Sequence, residues 1–462
     1  MTMPSSETPH FNEKTAVGCP RPAHFFRLFW LLPILFAAPV RSADLMQVYR
    51  EALVNDPQYA AARAVAEAGR EKLPQGLAGL LPTIGLAGTV SSNDNYYRVD
   101  RAPQTNSNFG AHTYTVTLSQ PLFRWQNFIQ YAQAKYQVAQ SEAVFAQASQ
   151  DLILRVAQAY FDVLNAQENL KAIRTNKEAI AHQLEQAKKN FEAGIVTVTD
   201  SQEAQSRFDL AVAQELAAEN DLDVKRYALR TIVGKEMGEL NRLKSSAVLN
   251  PPQPARMDSW VDAARTDSYL VQAQQAAYEA ADREVERIRA GHYPTVDVVG
   301  SYGRARSYAG ISAANLLESE IGNIGVQINI PIFQGGYVNS KTREAFAART
   351  ASNAALEGAR RAAELDARQS FLGVVNGLAQ VRALRAALKS SAKALESNKL
   401  AYEIGVRINI DVLNAENQVY MARRDLNKLS FDALLAQLKL KASVGALGEE
   451  DLERINRLFE AP

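Results

Sequence analysis

The sequence predicts an α+β membrane protein built from two tandem repeats, each joining two membrane-spanning β-strands to very long α-helices. Three observations carry this prediction. Two segments in each half alternate apolar and polar residues over strand lengths. The stretch 122–193 contains no glycine or proline and keeps an apolar residue at every seventh position. Six features of the first half recur in the second, in the same order and register.

Composition sets the outer bounds. Of 462 residues, 47% are hydrophobic and 22% charged, too apolar for a disordered chain. A net charge of +1 offers no basic excess for displacing counterions, so nucleic acid is not an expected partner. The N-terminus reads as a secretory signal: Arg21, His24 and Arg27 precede the apolar run 28–38, and cleavage after Ser42 or Ala43 removes residues 1–42. That run is too short to anchor the chain in a bilayer. The single cysteine, Cys19, leaves with the signal, so the mature chain needs no disulfide. A lipoprotein reading of Val17-Gly18-Cys19 fails because the apolar run follows the cysteine. The five histidines, His10, His24, His112, His182 and His292, are scattered, and His182 reads as a solvated surface residue. No nucleophile elbow, phosphate loop, dinucleotide loop or metal-spaced histidine pair is present, so neither an enzyme nor a cofactor is expected.

The repeat organises the rest. Ala52 and Asp56 match Ala263 and Asp267, and Pro82-Thr83 matches Pro294-Thr295. Pro121-Leu122-Phe123 resembles Pro331-Ile332-Phe333, and Phe161 matches Phe371. Gly194 and Asp200 match Gly405 and Asp411, and Val233-Gly234 matches Val444-Gly445. The expected organisation is a signal at 1–42, one copy at 43–250, a second at 255–450 and a short tail at 451–462. Asn250-Pro251-Pro252-Gln253-Pro254 is the stiff join. Each copy reads as helix, two strands, very long helix, short turn, helix.

In the strands, Tyr114, Val116 and Leu118 oppose Thr113, Thr115, Thr117 and Ser119. Ile324, Val326, Ile328 and Ile330 oppose Gly325, Gln327 and Asn329. Ile84, Leu86 and Val90 begin the partner strand of copy one, and Val296 and Val298 that of copy two. The pattern alone also fits half-buried strands on a soluble core. Two features favour a barrel in lipid. Residues 91–110 read as a long polar outer loop, and Phe123, Trp125 and Phe333 follow strand-ending prolines where an aromatic girdle belongs. Four strands cannot close a barrel, because the smallest bacterial ones need about eight. Open edges are not tolerated in hydrocarbon, so several chains must share one barrel. Two chains would supply eight strands and three would supply twelve.

The long helix of ~70 residues would reach about 105 Å. Tyr131, Val138, Phe145, Leu152, Ala159, Ala166, Ile173, Ile180 and Ala187 form its heptad seam. Ala367, Val374, Val381, Leu388, Leu395 and Tyr402 form a weaker one in copy two. A strict period of seven implies left-handed supercoiling against neighbours. A non-transporting coiled-coil surface protein would explain these helices but not the strands, and a self-contained porin would spend most of its chain on strands. A bilayer-sized sheet continued by a helical tube belongs in an outer membrane, with the tube in the periplasm.

At this point the residues resemble a known family. Leu45-Met46-Gln47-Val48-Tyr49, Leu81-Pro82, Ala159-Tyr160-Phe161-Asp162-Val163-Leu164-Asn165-Ala166, Pro331-Ile332-Phe333-Gln334-Gly335-Gly336 and the segment 402–415 are similar to the TolC family of outer-membrane efflux proteins. The resemblance covers nearly the whole mature chain and is strongest to the branch serving type I secretion. It implies a homotrimer with a 12-stranded barrel and a periplasmic tunnel closed at its far end. It also implies a periplasmic adaptor and an inner-membrane pump, either an ABC exporter or a proton-driven pump; a multidrug efflux duct is the alternative to type I secretion.

The tip turns have a local explanation first. Gly194 and Gly405 suit left-handed helix ends, and Thr199 with Gln202 makes a capping-box pattern. Asp200 and Asp411 sit in first turns, where an acid gains ~0.3–1 kcal/mol from the helix dipole. The resemblance adds that Asp411 matches a pore-ring acid. It further implies that Thr199 and Asp200 accept latch bonds from Tyr402 and Arg407. Two positions depart from the family pattern. The second ring acid is replaced by Asn414, so a single ring is implied. Gln183 matches a latch glutamine whose expected glutamate partner falls at Lys399, so that contact is expected to be absent or altered.

Overall fold

The computed structural model describes residues 43–98, 100–101, 105–194, 197–244, 247–309 and 315–460. The expected signal at 1–42 lies outside the described residues. Short helices α1 (Leu45–Asn55), α2 (Pro57–Arg70) and α3 (Lys72–Ala78) open the first copy. Strands β1 (Thr83–Tyr97) and β2 (Thr105–Phe123) follow, then α4 (Trp125–Glu192) and α5 (Val198–Val233). After β3 (Arg242–Leu243) the order repeats with α6 (Met257–Asp267), α7 (Tyr269–Arg289), β4 (Thr295–Ala309), β5 (Asn315–Asn329), α8 (Tyr337–Glu403) and α9 (Asn409–Ser443). The chain closes with α10 (Glu449–Asn456) and β6 (Phe459–Glu460), which pairs with β3.

The first helix of each copy is broken at the matched aspartate. The Asp56 carboxylate accepts the Tyr59 amide at 2.6 Å and starts α2, with Pro57 in its first turn. Asp267 ends α6 at the equivalent point.

The four long strands make one antiparallel sheet in the order β1-β2-β4-β5, so β1 and β5 are open edges. The register places Ile84 opposite Leu118, Leu86 opposite Val116, Val298 opposite Val326 and Val296 opposite Ile328. These side chains share one face, and Ile84, Leu86, Val326 and Ile328 stand exposed on it. The other face carries Thr113, Thr115, Thr117, Ser301, Asn323 and Gln327. On the apolar face the first charges are Arg304 and Glu320, directly opposite each other. From Ile330, one residue beyond β5, to Glu320 the extended chain covers about 33 Å, which at a barrel tilt of about 40° is a band about 25 Å tall.

Two expectations about this sheet need correction. Residues 91–110 are not one long loop, because β1 runs on to Tyr97 and β2 begins at Thr105. The polar residues there still pair, Ser91 with Ala111 and Asp94 with Asn108, since ladder hydrogen bonds need no apolar side chains. Pro121 does not end its strand either. It sits inside β2 at a register shift between Pro121 and Phe123, the bulge that accommodates a residue without an N–H. Pro331 does follow the end of β5.

That bulge adjoins the junction of sheet and helices. Arg124, the residue before α4, donates to both carboxylate oxygens of buried Asp297 on β4 at 2.7 Å each. The pair ties copy one to copy two where the barrel hands over to the tube.

Helix α4 packs along α5, α7 and α9, and α8 along α9, α7 and α6. Leu152, Ala159, Ala166, Ile173, Ile180 and Ala187 of the heptad seam are buried, whereas Tyr131, Val138 and Phe145 are half-buried. A large buried cluster joins α1, α4, α5, α9 and α10. Phe161 stacks on Phe431 and Phe459 at 5.7 and 5.9 Å, and the Tyr160 hydroxyl donates to the Ala43 and Asn241 carbonyls at 3.3 and 3.1 Å. Burial pushes the Tyr160 phenol well above its usual range and the Tyr49 phenol up to about 12. Leu452, Ile455 and Phe459 carry the C-terminal segment into the same core.

Candidate functional site

Far from the sheet, α4 turns into α5 and α8 into α9. Gly194 and Gly405 adopt φ of +72° and +75°, and among the described residues a Cβ at either would meet nothing within 4 Å. The demand on both positions is therefore purely conformational, at about 1–2 kcal/mol for an L side chain. In copy two the Val406 and Arg407 amides donate back to the Ala401 carbonyl at 2.9 and 3.1 Å, which closes the end of α8.

The two matched acids then diverge. In copy one the helix cap is Thr197 with Asp200, not Thr199 with Gln202. The Thr197 hydroxyl accepts the Asp200 amide, and the Asp200 carboxylate accepts the Thr197 amide at 3.0 Å and hydroxyl at 2.8 Å. The expected pattern was two residues out of register because α5 starts at Val198, which places Thr199 inside its first turn and exposed. In copy two the cap position is Ile408, which has no side-chain oxygen to offer. Asp411 is thereby freed from capping. Its carboxylate, one-third exposed, meets only the Arg407 guanidinium among the described residues, at 3.4 Å one turn away. An exposed i,i+4 pair of this kind holds by about 0.3–0.5 kcal/mol.

Within one chain, among the described residues, no bond joins Tyr402 or Arg407 to Thr199 or Asp200. Asp200 is engaged with its own cap and Arg407 with Asp411. The structure does join the outer pair (α4, α5) to the inner pair (α8, α9) elsewhere. Arg207 on α5 donates to the Asn414 side-chain oxygen at 3.1 Å and pairs with Glu203 at 3.4 Å. The Gln183 amide donates to Glu416 at 2.9 Å, and Lys399 pairs with the other oxygen of the same carboxylate at 2.8 Å. The Gln183 contact is thus altered rather than absent. Sequence reasoning missed Glu416 and Arg207; the signal available was a lysine at a position where an acid was expected, which calls for an acid elsewhere.

Around these bonds Ile180, Ala211 and Leu413 form one small buried cluster, and Leu184, Ala187 and Ala204 another, with Phe208 packed against both. At the extreme end Ile404, Val406 and Ile408 are exposed, as is Val198 in the other turn. His182 is exposed. Among the described residues no group of His, Cys, Asp and Glu is arranged to hold a metal ion.

The family profile for outer membrane efflux proteins matches the chain twice, over residues 48–235 and 260–446. The chain belongs to the outer membrane efflux protein family. It is 31% identical over 435 residues to outer membrane protein TolC of Vibrio cholerae, covering 92% of this chain and 98% of that protein. It is 30% identical over 445 residues to the alkaline protease secretion protein AprF of Pseudomonas aeruginosa, covering 94% of this chain and 90% of that protein. The fold matches the crystal structure of the outer membrane protein VceC from Vibrio cholerae with a TM-score of 0.74 at 20% identity, over 87% of this chain and 96% of that one. The protein is therefore an outer-membrane efflux channel of the TolC type, with its helical part in the periplasm. Channels of this family are trimers that work with an adaptor and an inner-membrane pump, and they are not enzymes.

Proposed function

We propose that three copies of this chain share a twelve-stranded barrel and serve as the exit duct of a type I protein secretion system. The observation that carries the shared barrel is the four-stranded sheet with an exposed apolar face and two unpaired edges. Such edges are not tolerated in hydrocarbon, and the next chain's β1 can pair with β5. The cargo class rests on the full-length similarity to a relative named for alkaline protease secretion. Exposed Ile404, Val406 and Ile408 give the tip an apolar rim against which a periplasmic adaptor can close.

Symmetry turns Asp411 into a ring of three acids at the closed end, which concentrates cations and disfavours anions. Asn414 contributes no charge to it. In the closed state Arg407 and Tyr402 reach Thr199 and Asp200 across a chain boundary, with Arg407 exchanging Asp411 for the neighbour's acceptors. Arg407→Ala and Tyr402→Phe then raise single-channel conductance in planar bilayers, and unchanged conductance in both sinks the latch. The cargo is tested in a Gram-negative strain lacking its own duct but carrying an ABC protease exporter. Restored protease export supports type I secretion; restored drug resistance without export supports a multidrug duct instead.

A further inference from the structure

We infer that Glu416 is the central residue of the gate clasp in this protein, a three-helix lock formed with Lys399 and Gln183. The inference rests on the channel reading above and names the residues that hold its periplasmic end shut.

Glu416 lies on α9, one and a half turns after Asp411, and its side chain is 7% exposed. One carboxylate oxygen is held by Lys399 of α8 at 2.8 Å and the other by the Gln183 amide of α4 at 2.9 Å. Each oxygen therefore has a partner, and the two partners come from different helices. Lys399 acts within the inner pair, whereas Gln183 crosses from the outer pair to the inner one. Any movement that parts α9 from α4 strips the buried carboxylate of one partner before water can replace it, which is costly. The neighbouring Arg207–Asn414 bond and the Leu413 contact with Ile180 and Ala211 bridge the same pairs. They lack a buried charge, so parting them strands no carboxylate, whereas parting the clasp does.

The Gln183 side-chain oxygen is buried and has no donor among the described residues. That spare acceptor makes a sharp test possible. If the charges are exchanged, a lysine at 416 can donate both to a glutamate at 399 and to the Gln183 oxygen. The same three helices are then tied with the polarity reversed.

The full-length trimer is reconstituted in planar bilayers, and the time spent in high-conductance states is compared for the wild type, Lys399→Glu, Glu416→Gln, the double exchange Lys399→Glu/Glu416→Lys and Arg407→Ala. Lys399→Glu sets two acids against each other and is expected to raise the open time about tenfold, the factor that 1.4 kcal/mol represents. Glu416→Gln is expected to raise it in the same direction. The double exchange is expected to return to within about twofold of the wild type, a rescue that loss of packing would not produce. The clasp is overturned if Lys399→Glu gates like the wild type, or if the double exchange stays as open as the single variants. Lys399 is half exposed and its substitution removes no core packing, so it carries the test should Glu416 variants fail to assemble. Opening by Arg407→Ala alone leaves the channel reading standing and refutes the clasp; a silent wild type refutes both.

Discussion

Asp56→Asn removes one charge and almost no volume, and its effect can be worked from the geometry. The Asp56 carboxylate is 2% exposed. It accepts the Tyr59 amide at 2.6 Å and both terminal guanidinium nitrogens of Arg155, at 2.8 and 3.1 Å. Asparagine keeps one acceptor oxygen and caps a helix as well as aspartate does. What is lost is the paired bond to Arg155, whose side chain is 31% exposed and regains some water. Hydrogen bonds to a charged partner contribute about 1.5–3 kcal/mol, so the substitution should cost about 2 kcal/mol after that discount. The pH dependence fixes the assignment. Burial alone would raise the Asp56 pKa, but the Arg155 hydrogen bond, the Tyr59 and Gln58 amides and the Arg155 charge outweigh it and hold the carboxyl below its usual range. A depressed folded pKa contributes stability that is complete above the unfolded value of about 3.9 and is lost as pH falls through the folded value. Urea unfolding of the wild type and Asp56→Asn, both as detergent-solubilised trimers, should therefore show a gap at neutral pH that closes in strong acid. A gap of the same size at both ends of the range would refute the role given to the ionised pair.

Three further outcomes are expected. Phe161→Ala, at 2% exposure between two stacked rings, should cost about 3–5 kcal/mol in thermal or urea unfolding of the trimer. Thr197→Ala should lose about 1 kcal/mol of helix-cap stabilisation and Thr199→Ala only a few tenths, measurable as hydrogen-exchange protection in the first turn of α5. Asp411→Asn should lower cation-over-anion selectivity in reversal-potential measurements while leaving trimer stability within about 0.5 kcal/mol, because the carboxylate makes only an exposed pair.

The long elements were legible because their signals repeat. A single helix spans α4 because the glycine- and proline-free stretch holds one heptad seam, and the sheet faces follow from the alternation at Tyr114 to Ser119 and Ile324 to Asn329. The ends were less legible. Strand length beyond Val90 depends on pairing across the hairpin, which side-chain type does not report. The helix cap depends on which of two nearby threonines lies outside the first turn, a matter of one or two residues. At the tip the matched acids Asp200 and Asp411 look equivalent in sequence. Only the replacement of Thr197 by Ile408 at the cap separates an acid consumed by its own helix from one left free. Glu416 was illegible for a related reason. Its partners lie 17 and 233 residues away, on two other helices, and no local pattern marks it.

One chain holds half the strands of even a small barrel, so assembly in lipid is the point on which the functional reading turns. The direct test is the mass of the detergent-purified protein, followed by its conductance in planar bilayers at the same protein preparation. Three chains per particle, with discrete cation-preferring current steps, are the expected result; a monodisperse monomer that leaves the bilayer silent would contradict it.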